Sequence, residues 1–196
     1  MDVQTVIFIG PQGSGKGTQV AALLKHIEEK DPTRKLVEVQ TGNGFRALAE
    51  EGGYTSLRVK NILTHGGLVP DFLTQSIVVN QLIADLTSES HIMMDGFPRN
   101  LEQAKFVDEL LEFYLRDQIT VVYLETAEDV VRERMLARGR SDDNESSINE
   151  RLRLYKEMTE PLIEHYKNRP KTQFVTVDGA QAIEEVQAEI RAGLEI

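Results

Sequence analysis

Four glycines, a lysine and a threonine crowd into Gly10-Pro11-Gln12-Gly13-Ser14-Gly15-Lys16-Gly17-Thr18, directly after the apolar run Val6–Ile9. The chemistry this spacing suits is capture of a triphosphate. Backbone N–H groups from Gly13 through Thr18 can curl around phosphate oxygens without Cβ clashes, and Lys16 brings a full positive charge to the terminal phosphates. Helical periodicity resumes at Val20, Leu23, Leu24 and Ile27, so the loop opens onto a helix whose positive dipole end faces the same anion. Gly17 occupies the place after the lysine where many such loops carry a magnesium-binding Ser or Thr. A Mg2+ ion accompanying the nucleotide is therefore expected to be held mostly by phosphates and water.

Phosphoryl transfer asks a protein for alignment, exclusion of water, and cations where negative charge collects. Arginine suits the last task because its rigid fork binds phosphate bidentately and stays charged when partly dehydrated. Arg46, Arg99, Arg138 and Arg140 stand out for lying at strand ends or in loops. Six of the 13 arginines (Arg132, Arg134, Arg138, Arg140, Arg151 and Arg153) fall within residues 132–153 of a chain with net charge −10. Arg132 and Arg153 also suit solvated helix charges paired with nearby glutamates. Asp95, in Asp95-Gly96-Phe97-Pro98-Arg99, can position magnesium through water or simply serve a turn.

Five β-type runs must carry these residues: Val3–Ile9, Leu36–Val39, His91–Met94, Ile119–Leu124 and Phe174–Val177. Amphipathic helical stretches alternate with them, which predicts an α/β fold with a parallel sheet flanked by helices. Right-handed crossovers then put all strand carboxyl ends on one edge, so that Gly10, Thr41, Asp95 and Glu125 open toward one crevice. Residues 42–90 hold no convincing strand and read as helices divided by Gly66-Gly67 and Pro70, with residues 41–70 forming a helical insertion. Thr126-Ala127-Glu128-Asp129 has the pattern of a capping box starting a helix. Residues 138–144 break that helix as a short polar loop, and another helix runs from about Ser146 to Tyr166.

The chain has 196 residues, 40% hydrophobic and 28% charged, with no cysteine. This composition predicts one ordinary globular domain without disulfides or cysteine-ligated zinc. No apolar run could span a bilayer, no signal-peptide pattern is visible, and a reducing cytoplasm is the expected setting. The acidic balance argues against nucleic-acid or anionic-membrane partners and for small anionic ligands. His26, His65, His91 and His165 show no ligand spacing, and the absence of a coiled-coil pattern suggests a monomer.

Gly10 through Gln19 resembles the phosphate loop of adenylate kinases and their nucleoside monophosphate kinase relatives. Gly67-Leu68-Val69-Pro70-Asp71, Asp95–Arg99, Asp142-Asp143-Asn144 and Arg151-Leu152-x-x-Tyr155 resemble further motifs of the same family, in the same order across most of the chain. The resemblance implies a P-loop NTPase-type five-stranded sheet, with residues 41–70 as the monophosphate-binding insertion and 138–144 as a short lid. It implies transfer of the terminal phosphoryl group of Mg-ATP to AMP, giving two ADP. ATP would be held by Gly13, Ser14, Gly15, Lys16, Gly17, Thr18, Arg134 and Arg138. AMP would be held by Thr41, Arg46, Val69, Gly96, Arg99, Gln103, Arg140 and Arg151, with Gln103 reading adenine. Catalysis would rest on Lys16, Arg99, Arg138, Arg140 and Arg151, with Asp142 and Asp143 orienting Arg138 and Arg140. Thr41 and Gln103 favour AMP over UMP or CMP, the alternative acceptors; a noncatalytic ATP-dependent switch would leave both idle. The chain departs from the family pattern at Gln12, usually proline, at Asn43-Gly44, usually Asp-Leu, and in the compact Arg138-Gly139-Arg140.

Overall fold

The computed structural model describes residues 1–140 and 142–196; Ser141, inside the expected lid, lies outside the described residues. Five strands, β1 (Thr5–Ile9), β2 (Leu36–Gln40), β3 (His91–Asp95), β4 (Ile119–Glu125) and β5 (Thr172–Asp178), form one parallel sheet in the order β2-β3-β1-β4-β5. Every expected strand is present. The first begins at Thr5 rather than Val3, because Gln4 turns its backbone N–H to the His91 ring instead of the ladder.

Alternation along the strands feeds two cores. Ile7 and Ile9 of β1, with Ile119 and Val121 of β4, face one apolar layer, while Val6, Phe8, Val122 and Leu124 face the other. Burial on both faces is the reason these strands read as continuous apolar runs rather than as alternating ones. The first layer is closed by α4 (Asp71–Asp85), α5 (Leu101–Phe113) and α8 (Pro161–Asn168). The second is closed by α1 (Lys16–Lys30) and α9 (Ile183–Leu194).

Between β2 and α4, helices α2 (Thr41–Glu50) and α3 (Tyr54–Thr64) fold around a small core of Phe45, Val59 and Val69. Gly66, at φ +75°, lets this unit reach the far side of the crevice: a Cβ there would collide with the Ser147 carbonyl oxygen. Ser147 belongs to α7 (Glu145–Leu154), which packs on α6 (Glu128–Arg138) through Val131, Met135, Ile148 and Leu152.

Two local expectations are corrected. Thr126 makes no capping box; Ala127 is the N-cap of α6, because the Thr126 hydroxyl is buried against Gly179, in the space a Cβ on that glycine would need. The capping box lies at the next helix, where the Asn144 side chain accepts from Ser147 N–H and the Ser147 hydroxyl accepts from Asn144 N–H. The helix expected over residues 146–166 is interrupted by a π-helical segment, Tyr155–Thr159, ahead of Pro161. The wider turn carries the Thr159 hydroxyl to the Arg99 carbonyl, 2.8 Å away.

Candidate active site

The chain leaves β1 for β2 and β3 on one side, then crosses to β4 and β5 on the other, so a crevice opens where the carboxyl ends diverge. A cleft of about 650 Å³ fills it. Its floor is the glycine loop. Gly13 sits at φ +93°, and a Cβ there would fall 2.6 Å from the Val131 carbonyl, so only glycine lets the loop close onto α6. Gly13, Ser14, Gly15, Lys16, Gly17 and Thr18 all line the cleft. The Ser14 hydroxyl is buried without a partner among the described residues.

Lys16 folds back over its own loop, its Nζ donating to the Gly10 carbonyl at 2.7 Å and the Pro11 carbonyl at 2.8 Å. Burial lowers its pKa to about 8, against the opposing charge of Asp95. Asp95 lines the same cleft, its Oδ2 lying 3.6 Å from where a Cβ on Gly17 would stand. A Cβ at position 17 would stand in ordinary contact with the carboxylate. Among the described residues no three His, Asp or Glu side chains gather to hold a metal ion.

Arg99 donates from Nε to the Gly96 carbonyl at 2.7 Å. Gly96 at φ +74° makes this possible, since a Cβ there would stand 2.9 Å from the guanidinium. Arg134 is held similarly, donating to the Gly179 carbonyl at 2.7 Å. Arg138 and Arg151 are held by acids. Arg138 makes a two-pronged contact with Asp143, at 2.6 and 3.0 Å. The buried Arg151 bonds Asp143 at 2.5 Å and also Asp142. Burial alone would raise the Asp143 pKa, but Arg138 and Arg151 outweigh it and hold the carboxyl below its ordinary range.

Two details of the expected arrangement change. Arg138 is the last residue of α6, and the loop begins at Gly139. Asp142 and Asp143 orient Arg138 and Arg151, whereas Arg140 makes no ion pair among the described residues. The Asp143 N–H donates to the Arg140 carbonyl at 2.9 Å. Arg140 is exposed and lines the cleft.

A second, smaller hollow adjoins the first. Thr41, Val69, Gln103 and Arg151 line it, and it shares Gln12, Gly42, Arg46, Gly96, Arg99, Arg138 and Arg140 with the larger cleft. Thr41, the first residue of α2, donates its hydroxyl to the Gly96 carbonyl at 3.1 Å. Gln103 is not an exposed helix-surface residue: only 2% of it is accessible, and both ends of its amide are engaged. Arg46 is bonded to the Asn43 side-chain oxygen. Burial and the neighbouring Arg140 charge both lower the Arg46 pKa, and burial lowers that of Arg99. Crowded guanidiniums with few acids between them form a site that awaits an anion.

All expected site residues therefore line one hollow or the other. Glu125 does not; it is exposed, and Leu124 lines the cleft instead. Sequence reasoning missed the wall formed by Gly179, Gln181, Ile183 and Val186. The signal was available, because Asp178-Gly179 follows the fifth strand and so had to reach the same edge.

A family model described as adenylate kinase matches residues 8–171. The chain is 38% identical to adenylate kinase 1 of a Nostoc species over 96% of its length and 97% of that protein's. It is 40% identical to the adenylate kinase of a Synechococcus species over 90% of this chain and 92% of the relative. It is 38% identical to that of Thermus thermophilus over the whole of both chains. With a phosphate-cradling loop and a clustered arginine set at the crevice of a parallel sheet, the chain belongs to the adenylate kinase family, phosphotransferases that pass the terminal phosphoryl group of ATP to AMP.

Proposed function

We propose that ATP occupies the larger cleft and AMP the smaller one, and that the transferring phosphoryl group lies where the two join. One observation carries this assignment: Arg46, Arg99, Arg138 and Arg140 line both hollows at once. Cations shared by two adjoining pockets suit a group passed between two anions. Gly13 through Thr18 would wrap the donor phosphates, with Arg134 against the donor base. Thr41, Arg46, Val69, Gly96, Arg99, Gln103, Arg140 and Arg151 would receive AMP.

Lys16 would exchange its two loop carbonyls for phosphate oxygens. Arg99, Arg138, Arg140 and Arg151 would neutralise charge spreading over the equatorial oxygens of the transferring group. No general base is required, since the attacking phosphate oxygen of AMP carries its own charge. With no side chain at Gly17, the Asp95 carboxylate has open space beside the phosphate loop, which fits a Mg2+ ion held by phosphates and water. Asp95 would accept hydrogen bonds from that water, and the ion would supply charge neutralisation on the donor phosphates. Closure of residues 41–70 and 138–144 would expel water and strengthen each arginine contact.

Among the described residues no helix is long and apolar enough to cross a membrane. The cysteine-free composition supports a reducing cytoplasm as the setting, the acidic balance supports small nucleotides as the ligands, and the absence of a coiled-coil pattern supports a monomer as the working form. The test is ADP formation from Mg-ATP with AMP, UMP, CMP, GMP or no acceptor in parallel. Strong AMP dependence is expected; preference for a pyrimidine monophosphate would overturn the reading of Thr41 and Gln103.

A further inference from the structure

Behind the smaller hollow lies a closed ring of polar side chains centred on Asp71, the first residue of α4. Asp71 Oδ1 accepts from Gln103 Nε2 at 2.7 Å and from Asn100 Nδ2 at 3.0 Å. Asn100 Oδ1 in turn accepts from the Gln103 backbone N–H at 2.8 Å, and Gln103 Oε1 accepts from the Arg99 backbone N–H at 2.7 Å. Gln103 lines the hollow, but Asp71 does not.

An amide can be turned end for end with almost no change in shape, so its orientation is set by its partners. Here the partners allow one answer. Arg99 N–H can only donate and requires the oxygen; a carboxylate can only accept and requires the NH2 group. A flipped Gln103 would put donor against donor and acceptor against acceptor. Asp71 is itself fixed by Asn100, the N-cap of α5, and α4 and α5 pack together in the main core. The ring thus lies outside the 41–70 insertion and does not depend on its position.

Once both inner contacts are made, Gln103 retains one acceptor lone pair on Oε1 and one N–H on Nε2. This outward edge matches adenine, which offers an N6–H donor beside the N1 acceptor. Hypoxanthine and guanine present the reverse, an O6 acceptor beside an N1–H donor. Resting on the reading that Gln103 meets the acceptor base, we infer that Asp71 is a positioning residue that locks the Gln103 amide and thereby selects 6-amino over 6-oxo purine monophosphates. Asp71 touches no substrate in this role.

The test compares kcat/KM for AMP and IMP in wild type, Asp71→Ser, Asp71→Thr and Gln103→Leu. In Asp71→Ser and Asp71→Thr the side chain is too short to reach Gln103, so both release the lock while keeping a residue suited to a helix start, whereas an Asn there would keep an oxygen able to accept both bonds. The AMP-to-IMP ratio is expected to fall about tenfold, equivalent to about 1.4 kcal/mol, with KM for ATP unchanged. Wild-type ratios in both Asp71 variants, alongside a collapsed ratio in Gln103→Leu, would overturn the lock and leave the reading of Gln103 standing. A wild-type ratio in Gln103→Leu would overturn that reading, and the lock with it. Equal losses with both acceptors, or failure of both Asp71 variants to fold, would make Asp71 merely structural.

Discussion

Two groups of arginines meet at the crevice, and they are held by opposite means. Arg99 and Arg134 hang from backbone carbonyls, of Gly96 and Gly179, whereas Arg138 and Arg151 are clasped by Asp142 and Asp143. A carbonyl fixes a guanidinium without cancelling its charge; a carboxylate fixes and neutralises it together. Arg99 follows β3, and Arg134 lies in the body of α6, which packs on α7 through Val131 and Met135. The carboxylate-held pair flanks residues 138–144, where little else would order two long side chains. Among these four arginines, acids scaffold the pair beside the loop and backbone carbonyls hold the other pair, while Arg140, in the loop itself, makes no ion pair among the described residues.

The largest effect is expected at the lysine held by two loop carbonyls. Lys16→Met should lower kcat/KM for Mg-ATP by about a thousandfold or more, because no other cation rises from the loop. Since the Lys16 pKa is lowered to about 8, wild-type kcat/KM should also decline as pH rises through about 8. Lys16→Arg, which remains charged, should lose this alkaline limb whatever its residual rate. An unchanged limb in that variant would assign the titration elsewhere.

Arg138 tests the other side. Arg138→Ala should lower kcat by about a hundredfold to a thousandfold while leaving AMP affinity nearly unchanged, a pattern that marks a contact made chiefly in the transition state. Full turnover in this variant would reduce Arg138 to a partner of Asp143 and dissolve the contrast between the two groups.

Asp143 carries the scaffolding claim. Its side chain is fully buried against Arg138 and Arg151, so Asp143→Ala should cost about 2 kcal/mol in unfolding free energy. Its folded-state pKa lies below the ordinary carboxylate value. The stabilisation is therefore complete above the unfolded-state pKa and is lost as pH falls through the lower folded value. Wild type and variant should converge in stability as the solution is acidified. A constant difference down to that range would show that the carboxylate charge is not what orders the lid arginines.

How far the site was legible follows from whether a residue acts locally. The glycine loop declares itself because strand, glycines, lysine and helix are contiguous, and the five strands declare themselves because burial on both faces leaves unbroken apolar runs. Residue types also located Arg99, Arg138 and Arg140. What stayed hidden depends on distant partners. Thr126 lost its expected capping role to packing against Gly179, beyond the following strand in the chain. The resemblance singled out Gln103, but not how its amide is held, since Asp71 and the Arg99 backbone close around it only in the fold. The π-helical turn at Tyr155 has no local signature, because its reason is the Thr159 contact with Arg99.

Asn43 supplies the smallest and most discriminating test, since it stands between the two ways of holding an arginine. Its side-chain oxygen bonds Arg46 as an acid would, yet it carries no charge. Arg46 also faces Arg140 and Arg138, whose positive charges depress its pKa alongside burial. Asn43→Asp would keep the hydrogen bond and add the missing negative charge, converting Arg46 from the uncompensated class to the neutralised one. The KM for AMP should rise a few-fold, on the scale of about 1 kcal/mol for a partly exposed pair, with kcat unchanged and the increase shrinking at high salt. If KM instead falls, holding Arg46 in place matters more than preserving its charge. The division between uncompensated cations and scaffolded neutral ones would then not extend into the insertion.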